Sequence, residues 1–312
     1  MPSPNLLITG VTGFIGFKVL LDALEAGYAV RAAVRSASQS ESLRSHPKVK
    51  DVAQDGKLEF VEVPDLLVPG AYDEALKGVT YAIHLAAPLP SPALDPQTGI
   101  YEPALKSTVN MLKSAAKATS LKKLVITSSV FETALSPPDP SVEVTAVTRQ
   151  PDLPGPFNDT LSAYIAGKIA ALNATDRFIK EHKPSFALVN IMPGFVFGKD
   201  DKALTVKDIS TGTNRVLLPV VTGKSKPHPM PAGAAHVYDV AKVHLLALKD
   251  GVVGDFGVTK EHVFNDAWDV VLKHFPKAVE AGTFRKGGSA NLPSKVECSC
   301  NGGILWVQLE NV

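Results

Sequence analysis

Tyr164 and Lys168 stand four residues apart in Thr160-Leu-Ser-Ala-Tyr164-Ile-Ala-Gly-Lys168. Positions i and i+4 share one face of a helix, so a phenol and an ammonium lie side by side over one ligand. An adjacent ammonium favours the phenolate and is expected to draw the tyrosine pKa down from about 10, making Tyr164 a general acid or base. The spacing alone is common by chance. It gains weight from an upstream strand end, Leu124-Val-Ile-Thr127-Ser128-Ser129, which supplies hydroxyl donors. Hydride transfer to a carbonyl builds negative charge on oxygen, and Ser129 together with Tyr164 can stabilise that charge. Strand alternation sends Ser128 to the opposite side from Ser129.

A hydride needs a carrier, and the amino terminus has the pattern for one. Leu6-Leu-Ile-Thr-Gly10-Val-Thr12-Gly13-Phe14-Ile15-Gly16 reads as a strand, a tight turn and a helix start. Gly10 suits the turn, Gly13 lets backbone N–H groups approach a pyrophosphate, and Gly16 lets the helix pack closely on the strand. Gly10, Thr12, Gly13, Phe14, Ile15 and Gly16 are therefore the candidate dinucleotide contacts. An NAD site usually places an acidic residue at the end of the second strand, about 20 residues downstream, to bond the ribose 2′-hydroxyl. This chain has Val30-Arg-Ala-Ala-Val34-Arg35-Ser36 there instead. The planar fork of Arg35 suits a 2′-phosphate, so NADPH/NADP+ is the expected cofactor. Arg44, in the next turn, reads as an ordinary surface arginine.

These groups need a scaffold. Short β-rich runs at about 5–9, 28–34, 58–62, 79–85, 122–127 and 185–192 alternate with helical patterns at 13–26, 101–118 and 160–182. Such alternation predicts an α/β fold, a Rossmann-type doubly wound parallel sheet. The stretch from Ser136 to Asn158 holds six prolines and is expected to be an extended loop. After Pro193 the alternation degrades, with further helices near 239–249 and 265–274. Residues 1–192 with about 236–250 are thus expected to form the cofactor domain. Residues 193–235 and 251–312 are assigned to a smaller substrate lobe over the carboxyl edge of the sheet.

Composition narrows the partners. Of 312 residues 45% are hydrophobic and 20% charged, which suits a folded globular chain and excludes fibrous or disordered classes. Lys plus Arg (32) and Asp plus Glu (31) nearly cancel to +1, leaving no general attraction for nucleic acid or an anionic membrane. No apolar run is long enough to span a bilayer, and the first residues lack a secretory pattern, so a cytoplasmic protein is expected. Cys298 and Cys300 are too few and too close for a disulfide or a zinc site, and the dispersed histidines give no metal set. His84, inside an apolar strand, reads as a core histidine, and Asp239 as a helix N-cap.

Together, the glycine loop, Asp65-Leu66, His84-Leu-Ala86-Ala87-Pro88, Thr127-Ser128-Ser129, Tyr164-x-x-x-Lys168 and Pro193-Gly-Phe195-Val196-Phe-Gly198 resemble an extended short-chain dehydrogenase/reductase. The branch they look most like holds dihydroflavonol 4-reductases, cinnamoyl-CoA reductases and fungal aldehyde/ketone reductases, over about residues 5–296. The resemblance implies NADPH-dependent reduction of a small-molecule ketone or aldehyde, by a monomer or homodimer. It implies that Ser129 holds the carbonyl, Tyr164 donates the proton, and Lys168 binds the nicotinamide ribose and tunes Tyr164. It further implies that Asp65 and Leu66 flank the adenine, that Ala86, Ala87 and Pro88 line the cofactor, and that Pro193 to Val196 meet its nicotinamide end. Phe131, Phe195 and Tyr238 are candidates for an aromatic substrate pocket, although core packing accounts for each equally well.

Three departures from the pattern matter. The helix asparagine of many short-chain enzymes falls at Ala104, with Asn110 nearly two turns on and read as structural. The N-W-Y-C-Y hallmark of plant cinnamoyl-CoA reductases is absent, which disfavours that substrate. The closing amphipathic helix is replaced by Glu297–Val312, so a truncated or alternatively spliced end, and a lobe loosened from about Gly287, are expected; the alternative is that 304–307 dock as an edge strand. Two other functions share this fold, a sugar-nucleotide epimerase or dehydratase and a dinucleotide-sensing regulator without chemistry. Arg35 in place of an acidic residue argues against the first, and the Tyr164/Lys168 pair argues against the second.

Overall fold

The strand before the glycine turn is wholly buried, and the helix after it packs Phe17, Leu20 and Leu24 into the same core as Leu6 and Ile8. That unit begins a longer series. Leu6–Thr9 (β1), Phe14–Glu25 (α1), Val30–Val34 (β2), Ala37–Ser45 (α2), Pro47–Val52 (α3), Leu58–Glu62 (β3), Tyr81–His84 (β4), Glu102–Lys117 (α4), Lys123–Thr127 (β5), Thr160–His182 (α5) and Ala187–Pro193 (β6) follow one another. Beyond them come Phe195–Phe197 (β7), Asn214–Val221 (α6), Met230–Pro231 (β8), Gly233–His236 (β9), Val237–Leu246 (α7), Gly254–Val258 (β10), Lys260–Glu261 (β11), Asp266–His274 (α8), Pro276–Glu280 (α9) and Asn291–Leu292 (β12). This computed structural model describes residues 5–54, 56–133, 145–210, 212–225, 230–231 and 233–292.

Seven strands make one sheet in the order β10-β6-β5-β4-β1-β2-β3, every pair parallel. The expected Rossmann-type sheet is therefore present. The strand order reverses between β1 and β4, and the crevice beyond their carboxyl ends is where ligands bind in open α/β sheets. One core layer packs α1 and α7 on one face of the sheet; a second joins Met111 and Leu112 of α4 with Leu124 and Ile126 of β5.

A smaller lobe stands at the carboxyl edge. It contains the three-stranded sheet β11-β9-β7, the pair β12-β8, and α6, α8 and α9. Assigning 251–312 to the lobe as one block needs correction, because β10 pairs along β6 from Gly254 to Val258 and completes the main sheet. Its sequence, Gly-Asp-Phe-Gly-Val, is poor in strand-forming residues. The strand is fixed from the side instead: Asn190 donates to one oxygen of Asp255 at 2.7 Å, and Arg149 pairs with the other. Asp239 also needs correction. The helix cap is His236, whose Nδ1 accepts from the Tyr238 N–H at 3.3 Å, and Asp239 lies inside the first turn.

Residues 287–292 are held in the lobe by backbone bonds, Gly287 N–H to Val220 at 2.8 Å and Gly288 N–H to Lys224 at 3.2 Å. The expectations for Cys298, Cys300 and 304–307 lie outside the described residues. Among the described residues, no helix is long and apolar enough to cross a membrane.

Candidate active site

Gly10 takes φ +74°, and a Cβ there would sit 2.9 Å from the backbone of Leu85 and Ala86. The turns after β1 and β4 thus touch at the point where the strand order reverses. Thr9 joins them: its Oγ1 accepts from the N–H of both Leu85 and Ala86 at 3.2 Å and lies 2.8 Å from His84 Nδ1. His84 is buried, and burial lowers its pKa to about 3, so it is neutral and belongs to this joint.

A cleft of about 550 Å³ opens from these turns. Its wall contains every proposed cofactor contact, from the glycine loop through Arg35, Asp65, Leu66 and Ala86–Pro88 to Pro193 and Val196, together with Ser129, Tyr164 and Lys168. Arg35 is exposed on the rim, and its guanidinium has no protein partner among the described residues; only its backbone N–H is engaged, by Gln39 Oε1 at 2.9 Å. Arg44 instead lies over the Phe60 ring at 4.7 Å. Asp65 Oδ1 accepts from Leu67 N–H at 2.8 Å, and Asn110 donates to the carbonyls of Leu66 and Val68 at 3.1 Å. Asn110 therefore acts structurally, as expected, by holding the loop at 66–68.

The three candidate catalytic side chains meet at the carboxyl end of β5. Asp159 caps α5 by accepting from Leu161 and Ser162 N–H at 2.9 Å, which sets the helix phase. Tyr164 and Lys168 then face the cleft one turn apart. Ser129 Oγ accepts from the Phe131 N–H at 3.3 Å, and Lys168 Nζ donates to the Thr127 carbonyl at 3.0 Å. Ser128 also lines the cleft and donates to Glu132.

The electrostatics correct one expectation. Tyr164 is not drawn downward by Lys168; burial, and then the charge of Glu132, push it up to about 12, with the Ser129 hydroxyl opposing. The ammonium donates to the Thr127 carbonyl, and the half-buried phenol lines the cleft. Tyr164 is consequently protonated at neutral pH.

The aromatic candidates divide. Phe131 meets Tyr164 edge-on at 6.3 Å, and Phe195 meets Phe131, not the phenol, edge-on at 5.9 Å; neither forms the cleft wall itself. Tyr238 does not join them. It lies at the start of α7 against α1, with Lys18 over its ring at 4.4 Å and its hydroxyl donating to Asp201 at 3.0 Å. Sequence reading missed several wall residues. Tyr72, Gly212 and Thr213 all line the cleft, and Lys202 reaches from the lobe to the Thr12 carbonyl at 2.7 Å. None of these carries a local signal, because distant segments bring them in.

Residues 6–259 match the model of the NAD dependent epimerase/dehydratase family. The chain belongs to that family. This family member is 37% identical over 310 residues to the NAD-dependent epimerase/dehydratase ALT6 of Alternaria alternata, covering 91% of this chain and 87% of that protein. It is 35% identical over 303 residues to the ketoreductase CTB6 of Cercospora beticola, covering 92% and 85%. A solved structure of Gre2 in complex with NADPH from Candida albicans matches with a TM-score of 0.77 at 24% identity, covering 92% of this chain and 86% of that one. That likeness is one of fold. The resemblance to extended short-chain reductases is borne out.

Proposed function

We propose that this chain is an oxidoreductase that reduces a ketone or aldehyde carbonyl to an alcohol with NADPH. The observation that carries the reading is the convergence of Ser129, protonated Tyr164 and Lys168 in the wall of a cleft that begins at the glycine turn. The relatives named ketoreductases support the same chemistry. The cradle suits the cofactor, since the close packing at Gly10 and Gly16 brings the helix N-terminus up to the cleft, and the unpaired Arg35 fork stands on its rim.

When bound, NADPH supplies the hydride. The protein supplies the rest. In this reading the hydroxyls of Ser129 and Tyr164, both in the cleft wall, stabilise the carbonyl oxygen as it gathers charge, and Tyr164 passes its proton to that oxygen. Lys168, anchored on the Thr127 carbonyl, offers its remaining N–H groups to the ribose. Phe131 gives the substrate an apolar flank beside the phenol, with Phe195 packed against Phe131. A screen of NADPH oxidation across aldehydes, diketones and flavonoid-type ketones tests the reading; no turnover with any of them defeats it.

Arg35 sets the cofactor preference in this reading. A charge-assisted bond contributes roughly 1.5–3 kcal/mol, so NADPH should bind about tenfold or more tightly than NADH. Arg35→Ala is expected to bring the two dissociation constants together. Titration of each cofactor by fluorescence checks this, and an unchanged ratio in the variant would show that the 2′-phosphate lies elsewhere.

A further inference from the structure

Thr127, Ser128 and Ser129 are consecutive, and three ionisable side chains gather around them: the Thr127 carbonyl takes Lys168, Ser128 takes Glu132, and Phe131, whose N–H donates to Ser129, lies edge-on to Tyr164. Two of those three side chains belong to the reaction proposed above. Glu132 does not, yet it is 1% exposed and closes a short turn, its N–H donating to the Ser129 carbonyl at 3.0 Å. A carboxyl in such a place is costly unless something depends on it.

We infer that Glu132 is a positioning residue for the Tyr164–Lys168 pair, a carboxyl tethered by Ser128 behind the strand end whose charge holds the lysine ammonium and the tyrosine phenol in their protonated forms. This rests on the reductase reading and deepens it. The direction follows from the sign of the charge. A carboxylate near Lys168 favours the ammonium, and near Tyr164 it opposes the phenolate. Burial in turn raises the Glu132 carboxyl well above its ordinary range, with Lys168 opposing. Its charge therefore appears only as the pH climbs, when Lys168 and Tyr164 would otherwise begin to lose their protons.

The other groups nearby are accounted for. Arg149, before α5, and Asp255, on β10, both act on Glu132 with opposite signs, and they are paired with each other. His84, on β4, faces Lys168 and is neutral. His244, on α7, accepts from the Thr127 hydroxyl at 2.7 Å while its Nδ1–H donates to the Val240 carbonyl, and burial lowers its pKa to about 4. Near neutral pH and above, neither histidine brings a charge.

The test compares pH profiles of carbonyl reduction for the wild-type enzyme, Glu132→Gln and Ser128→Ala. The alkaline limb marks whichever of Lys168 and Tyr164 loses its proton first. Glu132→Gln removes the charge that supports both, so the limb should move to lower pH by about one unit. Ser128→Ala removes a donor to the carboxylate, delays its ionisation, and should move the limb the same way by less. Infrared difference spectra of the unliganded protein supply a readout independent of turnover: a protonated-carboxyl band should fade as pH rises and be missing from Glu132→Gln. Superimposable profiles, or a uniform loss of rate without a shift of the limb, would make Glu132 a structural filler and overturn the inference. Should Glu132→Gln fail to fold, Ser128→Ala and the wild-type infrared titration still decide. A wild-type protein that reduces no carbonyl would defeat the reductase reading instead, and there the absence of a titrating band would sink the Glu132 inference separately.

Discussion

Replacing Tyr164 with Phe is expected to lower carbonyl reduction by a factor of about 10² to 10⁴ while leaving NADPH affinity nearly intact. The substitution removes one oxygen and keeps the ring, so the edge-on contact with Phe131 survives. In the proposed mechanism the lost oxygen is the proton source. Ser129 keeps its hydroxyl but ionises far too reluctantly to donate at the same rate, and His84 is buried, neutral and bonded to Thr9. Lys168→Ala should behave differently. In the proposed mechanism one ammonium serves both the ribose and the site's charge, so turnover and cofactor affinity should fall together. Steady-state rates beside fluorescence-measured NADPH dissociation constants separate the two patterns. Native turnover by Tyr164→Phe would mean that the proton comes from elsewhere.

The parts of this site that sequence made legible are those whose chemistry is local. Glycine spacing at 10, 13 and 16 specifies a turn and a close packing within a few residues, and Tyr164 with Lys168 needs only a helix to share a face. Strand alternation predicts only that Ser128 and Ser129 part, the choice of Ser129 resting on the family resemblance; in the structure the two hydroxyls take different partners, Glu132 and the Phe131 N–H. What stayed hidden depends on distant segments. Glu132, in Val-Phe-Glu-Thr, looks like a surface acid until the strand end folds over it. Tyr238 looked like a pocket aromatic, but Asp201 holds its hydroxyl on the far side of α1. The upward shift of Tyr164 was also beyond local reasoning: spacing placed the ammonium nearby, but not the Thr127 carbonyl that takes it or the depth of burial. Likewise β10, rich in glycine, is a strand because Asn190 and Arg149 grip Asp255.

Gly16→Ala tests the packing that lets the cradle exist, and it should be strongly disruptive. A Cβ at Gly16 would lie 2.1 Å from the Gly10 carbonyl oxygen and 2.7 Å from its carbon. Both are backbone atoms, so no side chain can swing aside. Helix propensity favours alanine over glycine by about 1 kcal/mol, which offsets only part of the strain. Overpacking of this kind typically costs 1–3 kcal/mol, and with immovable atoms the cost is expected near about 3 kcal/mol. The turn and α1 must separate, carrying the N–H groups of Gly13 to Ile15 out of line with a pyrophosphate. Losing two charge-assisted bonds at about 1.5 kcal/mol each weakens NADPH binding by roughly 100-fold. Gly13→Ala makes the informative contrast. Its Cβ meets only the Gly10 oxygen, at 3.2 Å, and φ there is −85°, so the protein itself should tolerate the methyl. Thermal denaturation without cofactor should therefore show a clear loss for Gly16→Ala and little for Gly13→Ala, while fluorescence titration shows weakened NADPH binding in both. If Gly16→Ala kept both its stability and its affinity, the close approach of α1 to the turn would not be what builds the site.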